Sequence, residues 1–409
     1  MPDGALSDLR VVELGEMVAA PFCAKVMADL GAEVIKIERP GAGDPARRRG
    51  PFPRDEPHPE KSALFLYLNA NKLGATLDVS DPEGARLFRE LLREADILVE
   101  SCPPGFLDSL GLGFEALKLV NPRLVMTSIS PFGQSGPYRG YKGYDLNCYH
   151  MGVVGYETPF NQVSDPENQP PLKAAGEQAD FLSGWTAAAA TMFALFSRHL
   201  SGRGQHVDVA KFEAVANMIR PNYTFYDYEP PDGPNRQRLG ARREWGLPWV
   251  WRCRDGSVAL LAITDQHWQR LKTMLGDPDW MDSELFATPT DRVLHADAVK
   301  ASLEPWLLEH DRDEIYRRGQ ELHIPVFPVQ TVREVLDTGH FHDREFFVEV
   351  DHPDTGPLLY PGAPYKLSAT PWRIRFPAPR LGEHNGEVWG GRLGLSAQKI
   401  EALKARAVI

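Results

Sequence analysis

The sequence predicts an α/β fold, with a large domain on a doubly wound parallel sheet and a smaller α+β domain. Three observations lead there. LRVVEL, a helix-spaced segment from Ala19 to Leu30 closed by Gly31, and EVIKIERP follow one another as strand, helix and strand. Such close alternation marks a parallel sheet with crossover helices. The alternation then continues through DILVES and RLVMTSISPFG, each after a helical segment. Beyond the Tyr- and Pro-rich stretch NYTFYDYEPPDGPNRQR the texture changes, which marks a domain boundary there.

Taken in order, the first strand is Leu9 to Leu14, and the second is stopped by Pro40. A dinucleotide fold would need G-x-G-x-x-G in the first turn, and LGEMVAAP has one glycine, so neither NAD nor FAD is expected. Gly41 to Glu60 is a Gly-, Pro- and Arg-rich loop carrying Arg47, Arg48 and Arg49 near Arg39. ALFLYLNANKLGATLDV reads as strand-like around Asn69 to Lys72. Ser80-Asp-Pro82 introduces an amphipathic helix from Glu83 to Ala95. Asp96 to Ser101 is a strand, Phe114 to Val120 a short helix, and RLVMTSIS another strand. Gly140 to Asn147 is a polar, aromatic loop before a helical patch at Cys148 to Tyr156.

Asp180 stands directly before a long apolar run, Phe181 to Phe196, in LKAAGEQADFLSGWTAAAATMFALFSRHLSGRGQHVDV. A helix apolar nearly all round is expected to be buried on most of its surface. Asp180 is expected in its first turn, where the macrodipole favours negative charge and Asp is a common N-cap. Ser201-Gly-Arg-Gly204 ends the helix, HVDVA is a strand, and Ala210 to Arg220 is helical. In the smaller domain LPWVWRCRDGSVALLAI reads as a hairpin turning at Arg254-Asp-Gly256. Helices follow at DQHWQRLKTMLGD, Ala296 to Glu309 and Asp311 to Glu321, then the extended IPVFPVQ and the helical TVREVLDT. Phe346 to Ser368 reads as strands and turns, and Ser396 to Ala405 as a helix.

Composition narrows the function. A net charge of −11 argues against nucleic acid and anionic membrane as partners, while leaving room for a local basic patch that holds a phosphorylated small ligand. No apolar run reaches bilayer length, and MPDGALSDLR has no signal-peptide pattern, so a cytoplasmic protein is expected. Cys23, Cys102, Cys148 and Cys253 form no CxxC pair or metal spacing, so neither a disulfide framework nor a metal site is expected.

Against this reading the chain resembles the class III coenzyme A-transferases, the CaiB/BaiF family, almost end to end. The likeness rests on LRVVEL…ADLGAEVIKIERPGAGD, LNANK…LDVSDPEG, ADILVESCPPGFLDSLGLGFEAL, NPRLVMTSISPFGQSGPY, RHLSGRGQHVDV, IPVFPVQTVREVL and RLGEHNGEVW…LGLS, in family order. The resemblance implies a large Rossmann-like domain built from both chain ends, here 1–221 and 331–409. A small domain at 222–330 lies between them, and two subunits interlock as a homodimer. It implies acyl-CoA and a carboxylic acid as substrates, with no permanently bound cofactor. It assigns the nucleophile to Asp180 and coenzyme A contacts to Arg39, Asn71, Lys72, Lys142 and Tyr144, with Asp145 at a position that is often acidic. Three positions depart from the family. ARREWGLP stands where relatives carry a glycine-rich loop, Val18 replaces a glutamine, and Ser109 replaces an arginine.

The implied chemistry is attack of the Asp180 carboxylate on a thioester to give an anhydride, which keeps the acyl group activated. Coenzyme A thiolate then takes the aspartyl carbonyl, and the acceptor acid reverses the sequence. Water must be excluded throughout. Backbone amides at the start of the Phe181 helix are expected to serve the oxyanion. The rival is an acyl-CoA racemase. Those relatives carry a histidine where this chain has Tyr144, and a phenol is a poor base at neutral pH. A non-catalytic subunit of a heteromeric transferase is a further alternative, as is a plain binding module for coenzyme A esters. Trp245, Trp249, Trp251 and Tyr223 to Tyr228 hint at a bulky acid or at mere packing.

Overall fold

A computed structural model describes residues 4–159, 165, 168–228, 230 and 249–409. Six parallel strands form one sheet: β1 (Arg10–Leu14), β2 (Glu33–Glu38), β3 (Lys72–Thr76), β4 (Ile97–Glu100), β5 (Val125–Ser130) and β6 (His206–Ala210), in the order β3-β2-β1-β4-β5-β6. The crossovers are α1 (Ala19–Asp29), α2 (Ala63–Asn69), α3 (Pro82–Leu91), α4 (Phe106–Ser109), α5 (Phe114–Val120), α6 (Asp145–Met151), α7 (Val154–Glu157) and α8 (Gln178–Ser201). α9 (Lys211–Ala216) begins where β6 stops.

Both faces of the sheet are covered, which is why its strands read as near-continuous apolar runs. Val11, Val34, Ile97, Val99 and Ile129 point to one side, into a core shared with α1 and α8. Their neighbours Val12, Ile35, Ile37, Leu98 and Met126 point to the other, against Leu87, Phe88 and Leu91 of α3 and Ile400 and Leu403 near the end of the chain. This period of two is the strand pleat read in side chains. Asp81 caps α3 by accepting from the Glu83 amide at 2.8 Å, with Pro82 in the first turn.

Two expectations need correction. In ALFLYLN the chain is helical: Ala63–Asn69 form α2, capped by Ser62, whose Oγ accepts from the Phe65 amide at 3.2 Å, and β3 starts only at Lys72. A short apolar run carries no period that separates helix from strand, so the cap decides. The second concerns α8. One side is buried, through Ala179, Ser183, Gly184, Ala187, Ala188, Thr191 and Ala194, but Phe193, Phe196 and Leu200 are 73%, 68% and 73% exposed in the single chain. Small residues make the fully buried side, while Phe193, Phe196 and Leu200 face outward. By length and composition α8 passes for a membrane span, yet it packs on α1, β5, β6 and α9 as an interior layer does.

The end of the chain returns to seal the sheet. Asn385 accepts from the Thr76 amide at 2.8 Å and donates to Thr76 Oγ1 at 2.8 Å, and the His384 amide donates to Gly74 O at 2.9 Å. These bonds cover edge strand β3, which would otherwise offer open pairing groups.

The chain divides into two compact units, one of residues 1–154, 174–218 and 342–409, the other of 155–173 and 219–341. The sequence reading set the smaller one at 222–330. The second unit holds β7 (Val250–Cys253), β8 (Gly256–Leu260) and β9 (Val326–Pro328) in an antiparallel sheet with helices at Asp265–Met274, Ala296–Glu309 and Arg312–Glu321. Trp251 is core there, beside Trp268 and Val258. β10 (Phe347–His352) and β11 (Gly356–Pro361) form a hairpin in the first unit.

Candidate active site

In the strand order 3-2-1-4-5-6 the connections diverge between β1 and β4, and ligands of such sheets lie outside the carboxyl ends at that divide. A cleft of about 340 Å³ sits there. Leu14, Gly15 and Glu16 wall it after β1, Ile37 to Arg39 at β2, Leu77 to Ser80 after β3, and Ser101 to Pro103 after β4. Arg39 is an exposed cation on its wall.

Beneath the cleft lies a buried ion lattice. Glu13 receives Lys36 at 2.8 Å on one oxygen and Lys72 at 2.7 Å on the other, all three fully buried. Lys36 also pairs with Asp44 at 2.9 Å. Burial pushes the Lys72 ammonium down to about 8, with Lys36 and Lys25 adding and Glu13 opposing. For Lys36 burial acts the same way, but Asp44, Glu13 and Glu38 together hold its affinity for the proton above the ordinary lysine range. The three arginines of the loop part company. Arg47 is buried against Glu38 and Glu60, Arg48 donates to Ala42 O, and Arg49 pairs with Glu177 at the entry to α8. Burial and Asp44 raise the Glu16 carboxyl above its ordinary range, against Lys36, Arg39 and Arg48, which lower it.

Asp180 is the third residue of α8, not its cap; Glu177 precedes the helix and makes no capping bond. The orphan amide of this first turn is served from another helix: Asp180 N donates to Asp145 Oδ1 at 3.1 Å. Asp145 opens α6, and its buried carboxylate replaces the missing cap. On the side-chain side, Lys211 Nζ donates to Asp180 Oδ1 at 2.7 Å, with the two side chains 14% and 10% exposed. Cys148 stands in the same group: burial pushes its thiol up to about 11, Asp180 and Asp145 adding and Lys211 opposing. The starts of α6, α8 and α9 therefore meet around one carboxylate. The Phe181 amide donates to Glu177 O at 2.9 Å, so of the amides at the start of this helix those of Asp180 and Phe181 are engaged within the fold.

α8 meets α1 at this end through Gly184, where a Cβ would come within 2.7 Å of Ala19 O and 3.0 Å of the Phe22 ring. Phe22 packs edge-on against Phe181 and Trp185, at 4.9 and 5.6 Å between centroids. The β1–α1 turn thus runs from the cleft wall at Gly15 and Glu16 into α1, which packs on the helix that carries Asp180.

The expected ligand contacts separate into two sets. Arg39 lines the cleft, and Lys142 and Tyr144 are exposed just before α6. Asn71 and Lys72, at the start of β3, line no part of it. Lys72 spends its ammonium on Glu13, Pro21 O at 2.8 Å and Asn69 at 2.9 Å. Asn71, at φ 64°, donates to Asp29 and Arg373 O and accepts from the Arg375 amide at 2.6 Å. Both side chains are buried and already engaged within the fold. Val18 is fully buried. ARREWGLP and Trp245 lie outside the described residues. Lys211 carried no signal in the sequence, because its pairing with Asp180 spans 31 residues.

Residues 6–385 match the family model described as CoA-transferase family III. The chain is 32% identical over 412 residues to the succinyl-CoA–L-malate CoA-transferase beta subunit of Chloroflexus aurantiacus, covering 99% of this chain and 98% of that one. It is 36% identical to the succinyl-CoA:(R)-benzylsuccinate CoA-transferase subunit BbsE of Thauera aromatica, covering 93% of each. A crystal structure of a CaiB/BaiF family protein from Brucella suis superposes with a TM-score of 0.82 at 29% identity, over 95% of this chain and 99% of that one.

Proposed function

We propose, from the premise that this chain belongs to CoA-transferase family III and is a coenzyme A-transferase, that Asp180 is its nucleophile. The observation that carries this is a carboxylate fixed at both ends, its backbone by Asp145 and its Oδ1 by Lys211, on a helix that packs on α1, whose preceding turn walls the cleft. A nucleophile must be held in one orientation to gain from proximity, and this one is.

The donor thioester lies with its nucleotide end in the cleft, where Arg39 meets phosphate, since a guanidinium recognises phosphate oxygens in pairs. Lys142 and Tyr144 contact the same molecule nearer α6. Asn71 and Lys72 act from within the fold, at the start of β3. Asp180 attacks the thioester carbonyl, the thiolate leaves and returns to the aspartyl carbonyl, and the donor acid departs. The acceptor acid then attacks the aspartyl thioester and the steps reverse. Relatives whose names carry succinyl-CoA make that ester the first donor to try, with hydroxy and aromatic acids as acceptors.

The apolar stripe Phe193, Phe196 and Leu200 is covered by a second subunit, and we place the enzyme in the cytoplasm. A second copy is the simplest occupant. A homologous subunit is the other, favoured by the two relatives named as subunits of their enzymes. The test of the nucleophile is Asp180→Ala. It should abolish transfer while coenzyme A ester binding by calorimetry stays within threefold. Mass spectrometry of the wild type quenched during turnover should find acyl or coenzyme A on Asp180. A turning-over enzyme with Asp180 unmodified would refute the scheme.

A further inference from the structure

We propose that Lys211 is a second catalytic residue: it makes the two oxygens of Asp180 unequal and stabilises charge on Oδ1 whenever the aspartyl carbonyl is attacked. This rests on Asp180 being the nucleophile. Three observations carry it. Lys211 Nζ lies 2.7 Å from Oδ1, and both groups are largely shielded from water. Lys211 is the first residue of α9, directly after β6 ends at Ala210, so its backbone is anchored to the sheet. The backbone donors that might have served Oδ1 are committed, Asp180 N to Asp145 and Phe181 N to Glu177 O.

With Oδ1 paired to the ammonium, Oδ2 is the oxygen that attacks the thioester carbon. A C–O bond forms, the C–S bond breaks, and the pair leaves on the thiolate. Oδ1 is now the carbonyl oxygen of the aspartyl half of the anhydride, still facing Nζ. When the thiolate attacks Cγ, the carbonyl pair moves onto Oδ1, where the ammonium stabilises it. Collapse breaks the Cγ–Oδ2 bond and releases the donor acid carrying Oδ2. Attack of the acceptor carboxylate on the aspartyl thioester loads Oδ1 the same way. The ion pair weakens Asp180 slightly as a free carboxylate and lowers the barrier at both attacks on Cγ. In a shielded site a fixed cation acts on such charge far more strongly than in water.

The experiment uses the full-length enzyme, Lys211→Met and Lys211→Arg, with succinyl-CoA as probe donor, or whichever ester the wild type turns over. Rapid quench and intact mass follow the coenzyme A adduct on Asp180. Lys211→Met should form that adduct about 10²–10³-fold more slowly, with KM for the ester within threefold of wild type. Lys211→Arg should recover at least a tenth of the wild-type rate. Adduct formation in Lys211→Met at the wild-type rate overturns the proposal, as does a loss confined to KM. An arginine variant no better than methionine also overturns it, because the role would then be structural. Should the methionine variant fail to fold, Lys211→Gln takes its place under the same criteria. A wild type that turns over without any adduct on Asp180 sinks the nucleophile reading as well, so the two failures are told apart.

Discussion

Asp180, the nucleophile proposed above, takes its setting from outside its own helix: its neighbours come from 35 and 31 residues away, Asp145 and Lys211. No local pattern announces them. The aspartate itself stands out in the sequence through its place before the apolar run and through the family likeness. A different residue, Glu100, gives the molecule a pH dependence of stability. It ends β4, nearly fully buried, and accepts from the Cys102 amide at 2.6 Å. Burial pushes its carboxyl up to about 7, against hydrogen bonds from Ser128 and Cys102 and with help from Asp108. An unfolded glutamate titrates near about 4.3, so between that value and about 7 the folded state holds a proton the unfolded state has released. This contribution to stability is present at low pH and is lost as pH rises through the window. Glu100→Gln should therefore flatten the decline in urea midpoint between pH 5 and pH 8, by up to about 3 kcal/mol relative to wild type. Parallel declines in the two proteins would count against the assignment.

Among the elements, α8 taught most about what a sequence conceals. Its existence, its end at Gly202 and its place beside the sheet followed from apolar content and the glycine signal. Which side faced inward did not, because the inward side is made of Ala, Ser, Gly and Thr while Phe193 and Phe196 face out. Hydrophobicity cannot rank those faces when close approach, not side-chain size, sets the packing. α2 was hidden for another reason, a seven-residue run too short for its period to register. The strands were plain because both their faces are buried. Gly184 is the point where α8 meets α1 most closely. Gly184→Ala should cost about 1–3 kcal/mol in urea denaturation and lower kcat by at least tenfold, since a Cβ against Ala19 O must tilt the turn bearing Asp180. Unchanged stability and rate would show that the helices have room to part.

Taken as a whole, the molecule leaves a stripe of large apolar side chains on α8 with no cover from its own described residues. Isolated apolar residues on a surface are ordinary, but three on one helical face at i, i+3 and i+7 form a patch suited to association. Phe196→Glu should convert the assembly to monomers in analytical ultracentrifugation without changing the circular dichroism of the chain. A wild type that is monomeric at micromolar concentration would remove the argument for a second subunit.

The seal on β3 has a consequence for how this polypeptide is made. Asn71 waits for Arg375, a separation of 304 residues, and Thr76 waits for Asn385, a separation of 309. While a ribosome adds those residues, the outermost strand of a nascent sheet stays unzipped, next to any other polypeptide emerging nearby. Synthesis speed and the holdases that shield growing chains thus bear on the yield of this enzyme as directly as its finished packing does.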